Sequence, residues 1–362
     1  MTPTELSLFQ IQLLEWFTQQ QRPLPWRQHY EPYAVWISEI MLQQTQVATV
    51  LPYFDRWMEM LPSIQAVAET SEDTILKLWE GLGYYTRARN IQKAAIMICE
   101  KHGGQIPQDF SELLALPGIG RYTAGAIASI AFNQERPIVD GNIVRVLCRL
   151  MDWRDNPRSA EMQKKIWNAA EAWIPEGNAR FFNQALMELG ATLCSTQAPL
   201  CLLCPVPSFC KALKANTIDA VPAKTKRPPA KQRITALAVI QNEEGELLIA
   251  KRPAEGLMGG LWEFPNINLD KDTDIEQALK QGIRQQQDIL ITVDQPLSII
   301  KHAYTSFKVT LHCFLCTYQR SESDSTREEH SAQWVPLENL KQFSFPAAHG
   351  KIIQILSQER MA

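Results

Sequence analysis

Four cysteines, Cys194, Cys201, Cys204 and Cys210, stand as C-x6-C-x2-C-x5-C in the middle of the chain. Thiolates bind soft metals, and four within so short a stretch can reach one centre once the loops between them fold back. A disulfide pair is the simpler alternative. Met1 to Gln20 carries no charged-then-apolar leader, and no apolar run is long enough to span a membrane. The expected setting is therefore a reducing cytoplasm, where disulfides do not persist. Zinc is the stronger competitor, yet structural zinc sites usually come as two separated C-x2-C-type pairs, and here one C-x2-C is flanked by wider gaps. The spacing favours an iron–sulfur cluster over zinc. Of the remaining cysteines, Cys99 and Cys148 fall in apolar helical patterns. Cys313 and Cys316, three apart in a strand-like run, should point to opposite faces.

Two carboxylates sit where acid–base chemistry could use them. Val35-Trp-Ile-Ser-Glu-Ile-Met-Leu-Gln-Gln-Thr-Gln-Val47 reads as a half-buried helix that sets Glu39 among apolar neighbours. Such a Glu has its pKa raised and can stay protonated near neutrality, as a general acid requires. On a helix standing alone, a solvated Glu is the plainer reading. Arg136-Pro-Ile-Val-Asp-Gly-Asn142 places Asp140 just ahead of a helix that should begin near Gly141. An Asp there is more often an N-cap than a catalyst.

Two further segments suit nucleic acid. Leu116-Pro-Gly-Ile-Gly-Arg121 separates helical stretches at Asp109 to Ala115 and Tyr122 to Phe132. Gly118 and Gly120 permit a tight turn whose N–H groups, with the next helix N-terminus, can hold a phosphate. A plain helix–turn–helix corner would use the same glycines. Gly81-Leu-Gly-Tyr-Tyr-Thr-Arg-Ala-Arg-Asn90 sets two tyrosines beside two arginines, a combination that suits filling a vacated base stack, although a helix core would also use the rings.

The elements that must position these residues fall into two kinds. From Glu5 to about Ala215 apolar residues recur at helical spacing, broken at Arg22-Pro-Leu-Pro, His102-Gly-Gly and Pro175-Glu-Gly, which predicts an all-helical portion. Val221 to Arg233 is rich in proline and basic residues and reads as an extended linker. Beyond it, Ile234 to Ile240 and Glu246 to Lys251 flank the turn Asn242-Glu-Glu-Gly as a hairpin. Val309 to Tyr318 is a further strand, and Ile275 to Gln286 and Ala347 to Gln358 are helical, so this end is mixed α/β. At 362 residues the chain suggests two or three domains; its net charge of -3 does not advertise nucleic acid, which leaves any such contact to a local basic cleft.

Taken together, the Leu-Pro-Gly-x-Gly hairpin, the Pro-x-x-Asp segment and the cysteine quartet resemble the helix–hairpin–helix DNA glycosylase superfamily, in its iron–sulfur branch, from about Leu24 to Cys210. Members with lyase activity carry a lysine at the position of Tyr122, because an amine must attack the sugar. Tyr122 opposes that route. Ser38-Glu39 followed by Gln43-Gln44-Thr45-Gln46 closely resembles the adenine DNA glycosylases of the MutY type, which remove adenine mispaired with 8-oxoguanine. That resemblance implies a monofunctional hydrolase with Glu39, Asp140, Tyr122 and Asn142 catalytic. It implies an adenine pocket of Trp26, Arg27, Leu42 and Gln184, assisted by Arg22, with Gln44 and Tyr84 at the lesion. DNA-backbone contacts would come from Gly118, Gly120 and Arg121. It further implies one 4Fe-4S cluster on Cys194, Cys201, Cys204 and Cys210, and double-stranded DNA with 8-oxoguanine:A or G:A mispairs as partner. A monomer and no membrane are expected.

Gly256-Leu-Met-Gly-Gly-Leu-Trp-Glu-Phe-Pro265 resembles the approach to a Nudix box. The helix that should hold magnesium reads Gly282-Ile-Arg-Gln-Gln-Gln-Asp288, without the glutamate cluster that metal needs. A lesion-reading module is expected in place of a hydrolase. Its loop, where the family has Phe-Ser-His, is Tyr304-Thr305-Ser306, which keeps a ring and a hydroxyl but loses the histidine. The expected organisation is a catalytic portion 1–220, made of a six-helix domain at about 28–137 and a cluster subdomain from 1–27 and 138–220. A linker at 221–233 and a Nudix-like domain at 234–362 follow. The competing readings are a pyrimidine-damage glycosylase-lyase, a non-catalytic lesion-binding iron–sulfur protein and a nucleotide-pool hydrolase.

Overall fold

A computed structural model of the chain describes residues 1–224, 230–270, 273–304, 307–319 and 332–359. Fourteen α-helices are described: α1 (Pro3–Gln20), α2 (Pro32–Leu42), α3 (Val47–Met60), α4 (Ile64–Glu69), α5 (Glu72–Trp79), α6 (Thr86–His102), α7 (Phe110–Ala115), α8 (Arg121–Ala126), α9 (Gly141–Met151), α10 (Ala160–Ala172), α11 (Ala179–Thr192), α12 (Lys211–Lys214), α13 (Ile275–Gln287) and α14 (Ala347–Glu359). The strands are β1 (Lys231–Gln241), β2 (Leu247–Lys251), β3 (Trp262–Glu263), β4 (Asn266–Leu269), β5 (Leu290–Ala303), β6 (Phe307–Gln319) and β7 (Ala332–Val335). By packing, the chain divides into two compact units, Met1–Glu69 with Asn90–Arg227, and Thr70–Arg89 with Pro228–Ala362.

Among the described residues every regular element of the first unit is helical, in line with its 3.6-residue periodicity. Phe9, Leu13 and Phe17 on α1 are spaced to fall on one face. They share a core with Ile143, Val146, Leu147 and Leu150 of α9 and Phe182, Ala185, Leu186 and Leu189 of α11. Two glycines permit close approaches. A Cβ at Gly190 would lie 2.6 Å from the Asn142 Cβ, so α11 meets the start of α9 only because Gly190 has none. A Cβ at Gly125 would meet the Pro137 carbonyl oxygen at 2.4 Å.

Two helices differ from their expected form. The segment expected as one helix from Val35 to Val47 is broken: α2 stops at Leu42, Gln44 takes a left-handed φ of 59°, and α3 starts at Val47. It is also more than half-buried, since every residue from Val35 to Met41 is inside. With apolar residues all round, this helix has no solvent face to alternate against. The stretch from Tyr122 to Phe132 winds as α8 only to Ala126 and then as a π-helix over Ile127–Ala131, a local widening that often marks functional sites.

In the second unit the sheet runs β3-β2-β1-β6-β5, with β4 also paired to β1 and β7 to β2. β1 and β6 are parallel, with Leu237 opposite Cys313 and Ile240 opposite Cys316, and the hairpin register sets Gln241 against Leu247. The two-residue period of β1 sorts its side chains by face. Leu237 and Val239 join Cys313 and, from α14, Ile352 and Leu356; Ala236, Ala238 and Ile240 join Cys316 and, from α13, Leu279 and Ile283. Cys313 and Cys316 therefore do face opposite ways. Lys231 and Arg233, read from sequence as part of a tether, are the first residues of β1.

Candidate active site

Glu39 lies in the middle of α2 and is only 5% exposed. Its Oε2 accepts a 2.6 Å hydrogen bond from the Tyr122 hydroxyl, which the second residue of α8 brings in. Burial is the largest influence on the Glu39 carboxyl and raises its pKa, the Asp140 charge raises it further, and the Tyr122 bond and the Arg27 charge pull it back; the balance is about 7. An acid poised there is half protonated at neutral pH. The Tyr122 phenol itself is held well above its ordinary range, first by burial and then by the two carboxylates, so it stays a donor.

Asp140 is the N-cap of α9, and both of its carboxylate oxygens are hydrogen-bonded. Its Oδ1 accepts from the Ile143 N–H at 2.7 Å, the capping bond. Its Oδ2 accepts from the Asn142 amide Nδ2 at 2.8 Å. Burial pushes the Asp140 carboxyl upward against those bonds. Asn142 is itself fixed, since its Oδ1 accepts from Arg145 Nη2 at 2.8 Å, and the same guanidinium reaches the Gly190 carbonyl at 2.7 Å and the Cys194 carbonyl at 2.7 Å.

The chain turn Pro25–Arg27 supplies Trp26, buried edge-to-face on Phe54, and Arg27, whose charge acts on Glu39. Arg27 Nε donates to Gln184 Oε1 at 3.0 Å and Nη2 to Glu188 Oε2 at 2.9 Å. Arg22 takes both Glu188 oxygens, at 2.6 and 2.9 Å. Leu42, the last residue of α2, is half-buried. The structure thus brings Glu39 together with Tyr122, Asp140 with Asn142, and Arg27 with Gln184 and Arg22.

Gln44 is exposed in the turn after α2, and Tyr84 is exposed in the turn before α6, each with positive φ; Arg87 lies over the Tyr84 ring at 5.6 Å. In the hairpin Gly118 has φ +77° and a Cβ there would strike Asn90, so the turn requires glycine. Gly120 caps α8, and the Arg121 guanidinium stacks on Trp167 at 3.9 Å. Within the second unit Tyr304 packs between His302 and Phe307, with ring centroids at 4.5 and 4.7 Å. Thr305 and Ser306 lie outside the described residues.

Cys194, Cys201, Cys204 and Cys210 line one cavity with Arg149, whose Nη1 stands 3.3 Å from Cys194 Sγ. Burial raises the Cys204 thiol to about 11, and the three neighbouring sulfurs add to it, so bare thiolates there would need a cation. Among the described residues no group of three or more His, Cys, Asp or Glu is arranged to hold a metal ion.

Sequence reasoning missed Glu188 and Arg145. Glu188 is a lone carboxylate in the apolar run Ala185-Leu-Met-Glu-Leu-Gly190, which is a readable signal, but its partners lie more than a hundred residues away. Arg145 looks like any helix arginine until Cys194 and Gly190 are seen beside it.

A helical unit that holds a buried acid bonded to a tyrosine, an aspartate capping α9 and a cysteine-lined cavity fits a base-excision glycosylase scaffold. Residues 37–172 match the HhH-GPD superfamily of base excision DNA repair proteins, and residues 236–354 match the NUDIX domain. The structure of a thermostable thymine-DNA glycosylase superposes with a TM-score of 0.54 at 28% identity, over 59% of this chain and 99% of that one. An adenine DNA glycosylase of Rattus norvegicus is 34% identical over 98% of this chain and 79% of its own length. One of Buchnera aphidicola subsp. Acyrthosiphon pisum is 33% identical over 96% of this chain and 97% of its own. The chain belongs to the adenine DNA glycosylase family and is a DNA glycosylase of base-excision repair.

Proposed function

We propose that the chain hydrolyses the N-glycosidic bond of adenine opposite 8-oxoguanine, or opposite guanine, in double-stranded DNA, without lyase activity. The observation that carries the reading is the Tyr122 hydroxyl on Glu39, because it pairs a poised acid with a phenol at the position where a lyase needs an amine. The adenine must first leave the stack and enter a pocket that Trp26, Arg27, Leu42 and Gln184 form. Adenine leaves poorly as an anion. Glu39 gives its proton to N7 as the bond to C1′ stretches, so the base departs neutral and the sugar takes on oxocarbenium character. The ionised Asp140, oriented by Ile143 and Asn142, stabilises that cation or bonds to it until water adds and loses a proton. General-acid assistance alone is worth roughly two to four powers of ten.

Gln44 and Tyr84 are read as lesion contacts, as are Tyr304 and Thr305, while Gly118, Gly120 and Arg121 are read as phosphate contacts. The four cysteines are read as ligands of one 4Fe-4S cluster. Support comes from the one cavity that the four share and from the Arg149 guanidinium beside it. The cluster, when bound, supplies a cross-link between loops and takes no part in hydrolysis. The reading carries a monomer in a reducing cytoplasm; among the described residues no helix is long and apolar enough to cross a membrane.

Duplexes carrying 8-oxoguanine:A, G:A or thymine glycol test this. The adenine strand should break only after alkali, and faster opposite 8-oxoguanine; breakage without alkali or at thymine glycol would sink the reading. Thr305→Ala should narrow the preference for 8-oxoguanine:A over G:A.

A further inference from the structure

Glu188 has no place in the reaction as drawn, yet it is one of the most deeply buried charges in the first unit, with its side chain 1% exposed. Both its oxygens are committed to arginines. Oε1 takes Arg22 Nε, and Oε2 takes Arg22 Nη2 and Arg27 Nη2. Two cations therefore share one anion, and Arg27, with 9% side-chain exposure, has almost no water to replace it. The same stretch of α11 borders the acid: the Tyr122 hydroxyl that bonds Glu39 lies 3.9 Å from the sulfur of Met187, the residue before Glu188, and Arg27 is one of the charges acting on Glu39. A buried guanidinium that loses its partner is strongly destabilised unless it finds another carboxylate. The carboxylate on which Arg27 already acts is Glu39, the proposed general acid.

We propose that Glu188 is a positioning residue that keeps Arg27 from pairing with Glu39. It holds the guanidinium along α11, where Arg27 also orients Gln184, and it neutralises part of the cation. Glu39 is thereby spared a full cation and keeps its readiness to hold a proton near neutral pH. The inference rests on Glu39 as the acid. The groups acting on that carboxyl are the Tyr122 hydroxyl from α8, the Asp140 carboxylate ahead of α9 and the Arg27 guanidinium. Only the last is under Glu188 control. Arg22, whose side chain is 37% exposed, competes with Arg27 for the same anion, so the two arginines oppose each other.

That opposition gives the test two signs. Single-turnover adenine release from an 8-oxoguanine:A duplex is followed against pH for the full chain, Glu39→Gln, Glu188→Gln, Glu188→Asp and Arg22→Gln. In Glu188→Gln the alkaline limb should move down by about one pH unit or more, the size expected when an opposite charge closes on a carboxyl. Glu188→Asp, which keeps the charge, should restore most of the parent profile. In Arg22→Gln, Arg27 gains the whole of Glu188, its field at Glu39 weakens, and the limb should move up. A purely structural role would lower the rate at every pH and leave the limb where it was. If the parent has an alkaline limb and Glu39→Gln is inactive, but neither variant moves the limb, the role of Glu188 is overturned while the general acid stands. If the parent has no such limb, or Glu39→Gln remains active, both fall. Should Glu188→Gln not fold, the upward shift in Arg22→Gln decides alone.

Discussion

The Tyr122 hydroxyl donates to the Glu39 carboxyl at 2.6 Å. Two opposed effects meet in that one contact. Burial and the Asp140 charge make the carboxylate costly, while the phenol and Arg27 make it tolerable, and the acid ends near 7. Without burial Glu39 would be ionised at neutral pH and useless as a proton donor; without the phenol it would hold its proton too tightly.

Tyr122→Phe removes the hydrogen bond and keeps the ring. The phenol favours the ionised acid, so its loss should raise the Glu39 pKa and move the alkaline limb of single-turnover activity to higher pH. Stability should fall by about 1–3 kcal/mol above the limb, where the parent phenol bonds a charge, and by less below it. Urea melts at two pH values, one on each side of the limb, read the difference. An unmoved limb would show that the bond does not tune the acid.

Glu39→Gln should be inactive and yet more stable than the parent at alkaline pH. A carboxyl whose folded pKa is near 7 and whose unfolded pKa is 4.5 binds more protons when folded between those values, so stability falls as pH rises through that window. The amide has no such penalty. Relative to the parent it should gain about 3 kcal/mol at pH 8 and nothing at pH 4, counting 1.36 kcal/mol per pKa unit. Equal melting of the two proteins at both pH values would place the Glu39 pKa in its ordinary range.

Much of this is legible in the sequence, and the omissions have a common cause. Helices at Asp109 to Ala115 and from Gly141, and the hairpin at Asn242, are written in local caps and turn residues, and the structure has them there. Asp140 could be placed as a cap from its position alone. The break at Gln44 is not signalled, because no Gly or Pro marks it. The parallel pairing of β1 with β6 joins residues more than seventy positions apart, and periodicity says nothing about partners at that distance. The same holds for Glu188 with Arg22: residue type predicts a charge that must be paired, and only the fold says with what.

Asp140 caps α9 and is proposed to stabilise the sugar cation, and Asp140→Asn separates the two roles. Asparagine is as good an N-cap as aspartate, so the bond to the Ile143 N–H survives and stability should change by less than about 1 kcal/mol. The charge proposed to face the sugar is lost, and single-turnover adenine release should fall by at least about two powers of ten, as when one preorganised electrostatic contact is deleted. Asp140→Ala should lose both, with a further cost of about 1 kcal/mol in chemical denaturation. A substantial rate in Asp140→Asn would reduce Asp140 to a cap.

Gly190→Ala tests whether the orientation of Asp140 depends on how closely α11 approaches α9. The added methyl would lie 2.6 Å from the Asn142 Cβ and 3.1 Å from its backbone, and backbone cannot step aside as a side-chain tip can. The helices must part, at a cost of about 1–3 kcal/mol, the usual range for overpacking. Parting also shifts the amide that bonds Asp140 Oδ2 and loosens the Arg145 bridge to the Gly190 carbonyl. Adenine release should therefore drop by more than the loss of folded protein explains, at temperatures where circular dichroism shows the variant fully helical. A rate that tracks only the folded fraction would mean that Asn142 keeps its hold on Asp140 after the helices move, and that the Asp140 cap bond alone fixes the carboxylate.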